Sequence, residues 1–185
     1  MNLSVKHRGE FAATFRAVEV HSMEMLAAWV PTTPEMEVKL LFGEHIWDCA
    51  QHADALGKRT HELRLPLQHS LPPVPAYLAW LERLGSTAPT TQRVAGFYDG
   101  LLPSLGRRYR GYLALTDTLM DAPTVRIIER ILADHGRMLS QRAEMLIERP
   151  DLALVAQAWL DNLVAVEAAI REIRCPAVEE AASGG

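Results

Sequence analysis

His45, Asp48 and His52 stand at i, i+3 and i+7 within PEMEVKLLFGEHIWDCAQHADALGKRTHELR, residues 34–64. On an α-helix these offsets span about two turns of one face. Two imidazoles and a carboxylate so placed can support two kinds of chemistry. As a mixed N/O site they suit iron, copper or zinc, with open positions if only three protein ligands bind. Without a metal, Asp48 lies one turn from His52, where a carboxylate can fix the ring tautomer and raise its basicity. His52 is then a general acid or base, because histidine titrates near neutrality.

Residues from other segments can complete either site. His135 lies in the middle of the apolar face of residues 124–148, and Glu19 at the edge of the stripe in residues 10–30. The metal-ligand candidates are therefore His45, Asp48, His52, His135 and Glu19, and the catalytic candidates His52, Asp48, His45 and His135. Arg142, two turns beyond His135, suits a substrate carboxylate, and Tyr109 and Tyr112 are candidate hydrogen-bond donors to a ligand. Each has a plainer reading. Buried histidines can be satisfied within a core network, Arg142 can snorkel to the bundle end, and the tyrosines can be core aromatics.

Composition narrows the field. The 185 residues carry a net charge of −4, with 49% hydrophobic and 23% charged residues, which suits one globular domain. No basic block offers a phosphate-binding footprint, so no nucleic-acid partner is expected. The cluster Arg107-Arg108-Tyr109-Arg110 is short and reads as a solvated helix face. Cys49 and Cys175 form no CxxC pair, against a zinc ribbon or dithiol centre, and Cys49 reads as a small core hydrophobe. A Gly-rich phosphate loop and a GxSxG elbow are both missing. MNLSVKHRGEF lacks an apolar signal core, and no apolar run reaches spanning length, so a soluble, cytoplasmic protein without a membrane partner is expected.

The elements that must position these residues follow from periodicity. Residues 1–9 read as a flexible arm, residues 10–174 as one helical domain, and residues 175–185 as a disordered tail. Phe11, Phe15, Val18, Ser22, Leu26 and Trp29 give a first helix from Glu10 to Val30. Thr33 caps a second helix with Pro34 at its first position, and Val38, Phe42, Cys49, Leu56 and Leu63 line its core face. LPLQHSLPPVP, residues 65–75, is too proline-rich for helix and carries the chain onward as an extended crossover. A short helix covers Ala76 to Leu84. The segment from Thr90 to Met120 is helical, with a kink or break near Pro103, and turns Tyr109, Tyr112, Leu113, Thr116 and Met120 to one face. A fourth long helix runs from Thr124 to Glu148, with Ile128, Ile131, Leu132, Met138, Leu139, Met145 and Leu146 inward. A last helix reaches about Arg174. Four long helices with one long connection predict an all-α, ferritin-like four-helix bundle with additional short and C-terminal helices.

Two stretches carry a resemblance. GEHIWDCAQHADALGKRTHELR and DAPTVRIIERILADHGRML are similar to segments of uncharacterised ferritin-like bacterial proteins. Their patterns are H-x-W-[ED]-x-x-x-H-A-D-A-L-x-x-R and D-E-P-T-x-R-I-L-x-x-I-L-x-D-x-x-x-H. The first matches at His45, Trp47, Asp48, His52 and residues 53–56. The second matches at Asp121, Pro123, Thr124, Arg126 and Asp134, and departs at Ala122 and Met138, where the pattern has a carboxylate and a histidine. If a metal binds, the resemblance implies redox or oxygen chemistry. An ordinary di-iron centre is not expected, since it takes Glu-x-x-His pairs and no Glu of this chain has His three positions on. His-x-x-Asp at His45/Asp48 and His-x-x-Glu at His21/Glu24 are the reversed order.

The expected function is a small-molecule enzyme of specialised metabolism built on the histidine/aspartate cluster. It works through a non-standard site for iron or another transition metal, or through metal-free acid/base chemistry. The alternative is a non-catalytic ferritin-like binding or structural protein that has lost its metal. A small-molecule ligand and a homo-oligomer are the expected partners.

Overall fold

The computed structural model describes residues 3–175, and all of the expected tail, 175–185, except Cys175 lies outside them. The described residues are all-helical, without a strand. None of these helices is long and apolar enough to cross a membrane.

The first helix, α1, spans Val5–Trp29. It starts five residues before the expected Glu10, because the Ser4 side chain accepts a hydrogen bond from the His7 backbone N–H at 3.2 Å, a cap that satisfies one orphan donor. Arg8 is buried and donates to the Met120 carbonyl at 3.1 Å, so residues 5–9 are anchored rather than a loose arm. A 3₁₀ turn, Val30–Thr32, leads to α2, Met36–Glu62. Thr33 does not cap α2. Its hydroxyl donates back to the Trp29 carbonyl at 2.9 Å and accepts from Arg93 at 3.0 Å, so the helix waits until after Glu35.

The crossover forms as expected. Arg64 and Gln68 sit at positive φ, 69° and 58°, a left-handed conformation unusual outside glycine. Gln68 is tied down by its backbone N–H on the Gly57 carbonyl at 3.0 Å and by Arg16 donating to its side chain at 2.9 Å. The short helix is α3, Pro75–Gly85.

The long segment after it runs as α4, Thr90–Ala95, a π turn, Gly96–Leu101, and α5, Leu102–Leu115. The expected irregularity therefore falls just before Pro103. Proline has no N–H to give the helix ladder, and the ladder widens upstream, where Leu102 N–H bonds to the Phe97 carbonyl, five residues back. The helix stops at Leu115, so Met120 is exposed rather than inward.

Next come α6, Ala122–Glu148, a 3₁₀ turn, Pro150–Ala153, and α7, Gln157–Ala168. On α6, Ile128, Ile131, His135, Met138 and Met145 are buried, while Leu139 faces out. The last helix ends well short of Arg174. The Glu172 carboxylate takes the backbone N–H groups of Ile173 and Arg174 at 2.8 and 2.9 Å, which competes with helix formation. The strand-like segment then meets the crossover, with Val74 N–H on the Ile173 carbonyl at 2.7 Å.

Residue pairs fix how the four long runs lie. Trp29 stacks on Phe42, and Glu19 meets His52, so α1 and α2 are antiparallel. Arg149 reaches Glu37 and Arg59 reaches Asp121, so α2 and α6 are antiparallel. Phe15 packs on Tyr109 and Phe11 on Tyr112, giving the same relation between α1 and α5. The crossover stays near the start of α1, where Leu71 N–H bonds to the Ala13 carbonyl, and α3 carries the chain to the other end, where Trp29 donates to the Gly85 carbonyl, so that α2 and α5 run parallel. Arg107 and Arg110 are exposed, as expected of a solvated face, but Tyr109 is buried and Arg108 largely so. Arg107 and Arg108 both pair with the buried Glu167 of α7, and Arg108 lies 4.9 Å over the Tyr77 ring.

Candidate functional site

Halfway along this arrangement, one residue from each of three helices meets in the core. Glu19 of α1, His52 of α2 and His135 of α6 are 1%, 2% and 5% exposed. Each offers a ligand atom, and the three atoms lie within 4.8 Å of one another. Apolar periodicity explains the placement. Val18 and Ser22 flank Glu19 on the inner face of α1, Cys49 and Leu56 flank His52, and Ile131 and Met138 flank His135, all buried. The helices must bury these faces, and three polar side chains come along.

His52 has a carboxylate at each ring nitrogen. Nδ1 lies 3.2 Å from Glu19 Oε2, and Nε2 lies 3.2 Å from Asp134 Oδ2. Only the doubly protonated ring can donate to both. Burial works against that cation, but Glu19 and Asp134 outweigh it and hold the His52 pKa above the usual histidine range. For Glu19 burial pushes upward, and the attraction and hydrogen bond of His52, with help from His135 and Tyr109, bring the carboxyl below its ordinary value. Tyr109 OH donates to Glu19 Oε1. The nearby Cys49 thiol is pushed well up by burial and by Glu19.

His135 behaves differently. Its Nε2 is 3.9 Å from Glu19 Oε1, too long for a hydrogen bond, and its buried Nδ1 has no protein partner among the described residues. Burial pulls its pKa down to about 4, so the ring is neutral at pH 7 with a lone pair to offer. Asp134 is held in turn by Arg137 at 3.1 Å, and the same guanidinium takes Asp48 at 2.7 Å.

Asp48 is therefore not the partner of His52. It turns toward the α6 edge and pairs with Arg137, and the carboxylate on His52 is Asp134. His45 stands in a separate layer. Its Nδ1 accepts from Tyr98 OH at 2.6 Å, and its Nε2 donates to Gln141 Oε1 at 3.0 Å. Burial lowers its pKa, and this satisfied, neutral ring does not reach the Glu19 cluster. The π turn puts Tyr98 and Asp99 there, and Asp99 pairs with Arg142, so the Arg142 guanidinium already has its anion. Tyr112 points the other way, to Asp121. Of the expected residues, the structure brings together Glu19, His52, His135 and Tyr109.

Asp134 matches the second resemblance pattern but is not among the residues expected at the site. Its signal was modest: next to His135, it lies on the α6 edge beside Arg130 and Arg137 at i−4 and i+3. Gln141 and Tyr98 carried none.

Two clefts lie near this core. One of about 230 Å3 opens between α2 and α6 and has His52 among its lining residues. A larger one, about 360 Å3, lies beside Arg107, Arg108 and Ile173 and touches no member of the cluster, with Phe15 in its wall. The smaller is the one that meets the chemistry. No family model, curated protein or solved structure matches this chain.

Proposed function

We propose that the chain is a ferritin-like small-molecule enzyme whose centre is a single transition-metal site held by Glu19, His52 and His135. One observation carries it: two imidazoles and a carboxylate, all buried, converge from three helices within 4.8 Å. Two histidines with one carboxylate, leaving positions open, suit non-haem iron(II). Such a metal supplies redox or oxygen chemistry when bound.

The chain's own groups fit that role. His52 would use Nδ1 and keep Nε2 on Asp134, the carboxylate–histidine arrangement that orients metal-binding imidazoles. His135, neutral and with an unpartnered nitrogen, is ready to ligate. Tyr109 holds one Glu19 oxygen in place. Support for the ferritin-like arrangement comes from the long crossover and the parallel α2 and α5. A di-iron centre is not proposed, because the cluster offers one carboxylate and two histidines.

A metal-free reading has one specific observation behind it, the His52 ring clamped between two carboxylates, which suits acid/base work at neutral pH. Titration of untagged protein with Co(II) or anaerobic Fe(II) separates the two. The expected outcome is one equivalent per chain, lost in Glu19→Ala and His135→Ala variants with unchanged circular dichroism. Folded protein that retains no transition metal overturns the metal site and leaves acid/base chemistry. Two equivalents with an oxo-bridge band overturn the single-metal reading.

A further inference from the structure

The 230 Å3 cleft between α2 and α6 has a graded lining. Its floor is His52, its walls are Ala55, Ile127 and Ile131, and its rim carries Gln51, Arg126 and Arg130. Ala55 is the small residue on α2 that leaves room opposite the two isoleucines of α6. The volume is below the roughly 300–1,000 Å3 typical of drug-sized ligands, so the occupant is smaller. Apolar walls ask for an apolar body.

The rim states the charge. Arg126 and Arg130 are both exposed and stand at i and i+4 on α6, on one side of the helix. Arg126 makes no ion pair with the described residues, and Arg130 approaches only Asp134 Oδ2, at 3.8 Å. Asp134 is already bonded to His52 and Arg137, so it offsets at most one of the two rim charges. The mouth keeps a net positive charge of about one, which suits a monoanion better than a phosphate dianion, and a planar carboxylate fits a guanidinium fork.

We propose that this cleft admits a small monocarboxylic acid with a short apolar body, its carboxylate on Arg126 and Arg130 and its body reaching the His52 side of the centre. The inference rests on the Glu19/His52/His135 reading for its meaning, but binding in the cleft is measurable without a metal.

Benzoate is the probe, with benzyl alcohol as its neutral counterpart and phenyl phosphate as the dianion. Methyl NMR of the metal-free protein should show benzoate shifting Ala55, Ile127 and Ile131. Benzyl alcohol should bind at least about tenfold more weakly, as should benzoate to an R126Q/R130Q double variant, the loss expected for charge-assisted hydrogen bonds. Both arginines are exposed, so the variant should fold. A bulky Ala55→Leu substitution should abolish the shifts. Equal binding of benzyl alcohol, tighter binding of phenyl phosphate, undiminished binding to R126Q/R130Q, or shifts confined to the Arg107/Arg108 cleft would each overturn the proposal.

Co(II) then separates the two levels. A change in its absorption on adding benzoate supports a route from cleft to centre. Co(II) bound at the cluster but blind to benzoate overturns that route and leaves the metal site standing. Benzoate bound in the cleft of a protein that holds no Co(II) supports the acid-binding cleft and overturns the metal site.

Discussion

Two buried carboxylates, each with a tyrosine hydroxyl and a cation beside it, sit about two turns apart in the same core and end in opposite states. Asp121 is fully buried and has four donors. Arg59 and Thr124 reach Oδ1 at 3.0 and 2.6 Å, while Thr116 at 2.9 Å and Tyr112 serve Oδ2. Glu19 has Tyr109 on one oxygen and His52 on the other, with His135 drawn up at 3.9 Å and not bonded. The first network uses nearly all its hydrogen-bonding capacity and locks the α5–α6 turn onto α2. The second keeps a ligand atom unengaged. In this pair the complete network is the one that ties helices together, and the incomplete one is the candidate site.

The comparison predicts unequal responses to mutation. Asp121→Ala takes the acceptor from the Tyr112, Thr116 and Thr124 hydroxyls and leaves the buried Arg59 with only the exposed Glu62 as counter-charge, so urea unfolding should show a loss of ~3–5 kcal/mol, the range for breaking a buried ion pair. Glu19→Gln should cost no more than ~1 kcal/mol, because His52 can deprotonate when its partner is lost. A larger stability loss for Glu19→Gln than for Asp121→Ala would break the distinction.

His52→Ala is the next largest effect. The helix has ample apolar surface, so the variant should stay folded by circular dichroism, while activity or ligand binding falls by at least ~10²-fold. Full function with several kcal/mol of lost stability would move His52 into the structural class. Asp134→Ala then sharpens the site itself. Metal affinity should fall ~10–100-fold, the range for removing a carboxylate behind a ligating histidine. Asp48→Ala, which loses an ion pair to the half-exposed Arg137, should change stability by less than ~1 kcal/mol and leave affinity near wild type.

Acid titration gives the smallest effect. Burial pushes the Asp121 carboxyl up, but hydrogen bonds led by Thr124, Tyr112 and Arg59 hold it below the usual range. A folded-state pKa below the unfolded one adds stability above the unfolded value, near ~4. The advantage of wild type over Asp121→Asn should therefore be constant at higher pH. It should shrink as pH drops below ~4 through the depressed folded value. A gap that widens in acid would contradict the assignment.

Much of this was legible in the chain. The stripe from Val38 to Leu63 gave α2 its inner face, and His45 and His52 stood on it as polar interruptions. The second histidine meets Glu19 and Asp134 and the first a satisfied pair, a difference made by Glu19, Asp134, Tyr98 and Gln141 arriving from other helices. Asp48 and Asp134 were both one turn or one helix away from His52. Which of them reaches it depends on how α2 and α6 are rotated about their axes, and periodicity is silent there. Helix ends failed where a side chain intervened: Ser4 lengthened α1, Thr33 turned back from α2, and Glu172 competed with the last helix.

The π turn at Gly96–Leu101 has a consequence in units of single residues. A wide turn of this kind amounts to one residue inserted into an otherwise regular helix. Val94 before it and Tyr109 and Tyr112 after it all face the core. Deleting Asp99 would let the run close into an ordinary α-helix with both flanks still facing as they do. What would vanish is the outward step that presents Tyr98 to His45 and Asp99 to Arg142. One codon would then mark the difference between a plain helix and one that meets His45 and Arg142.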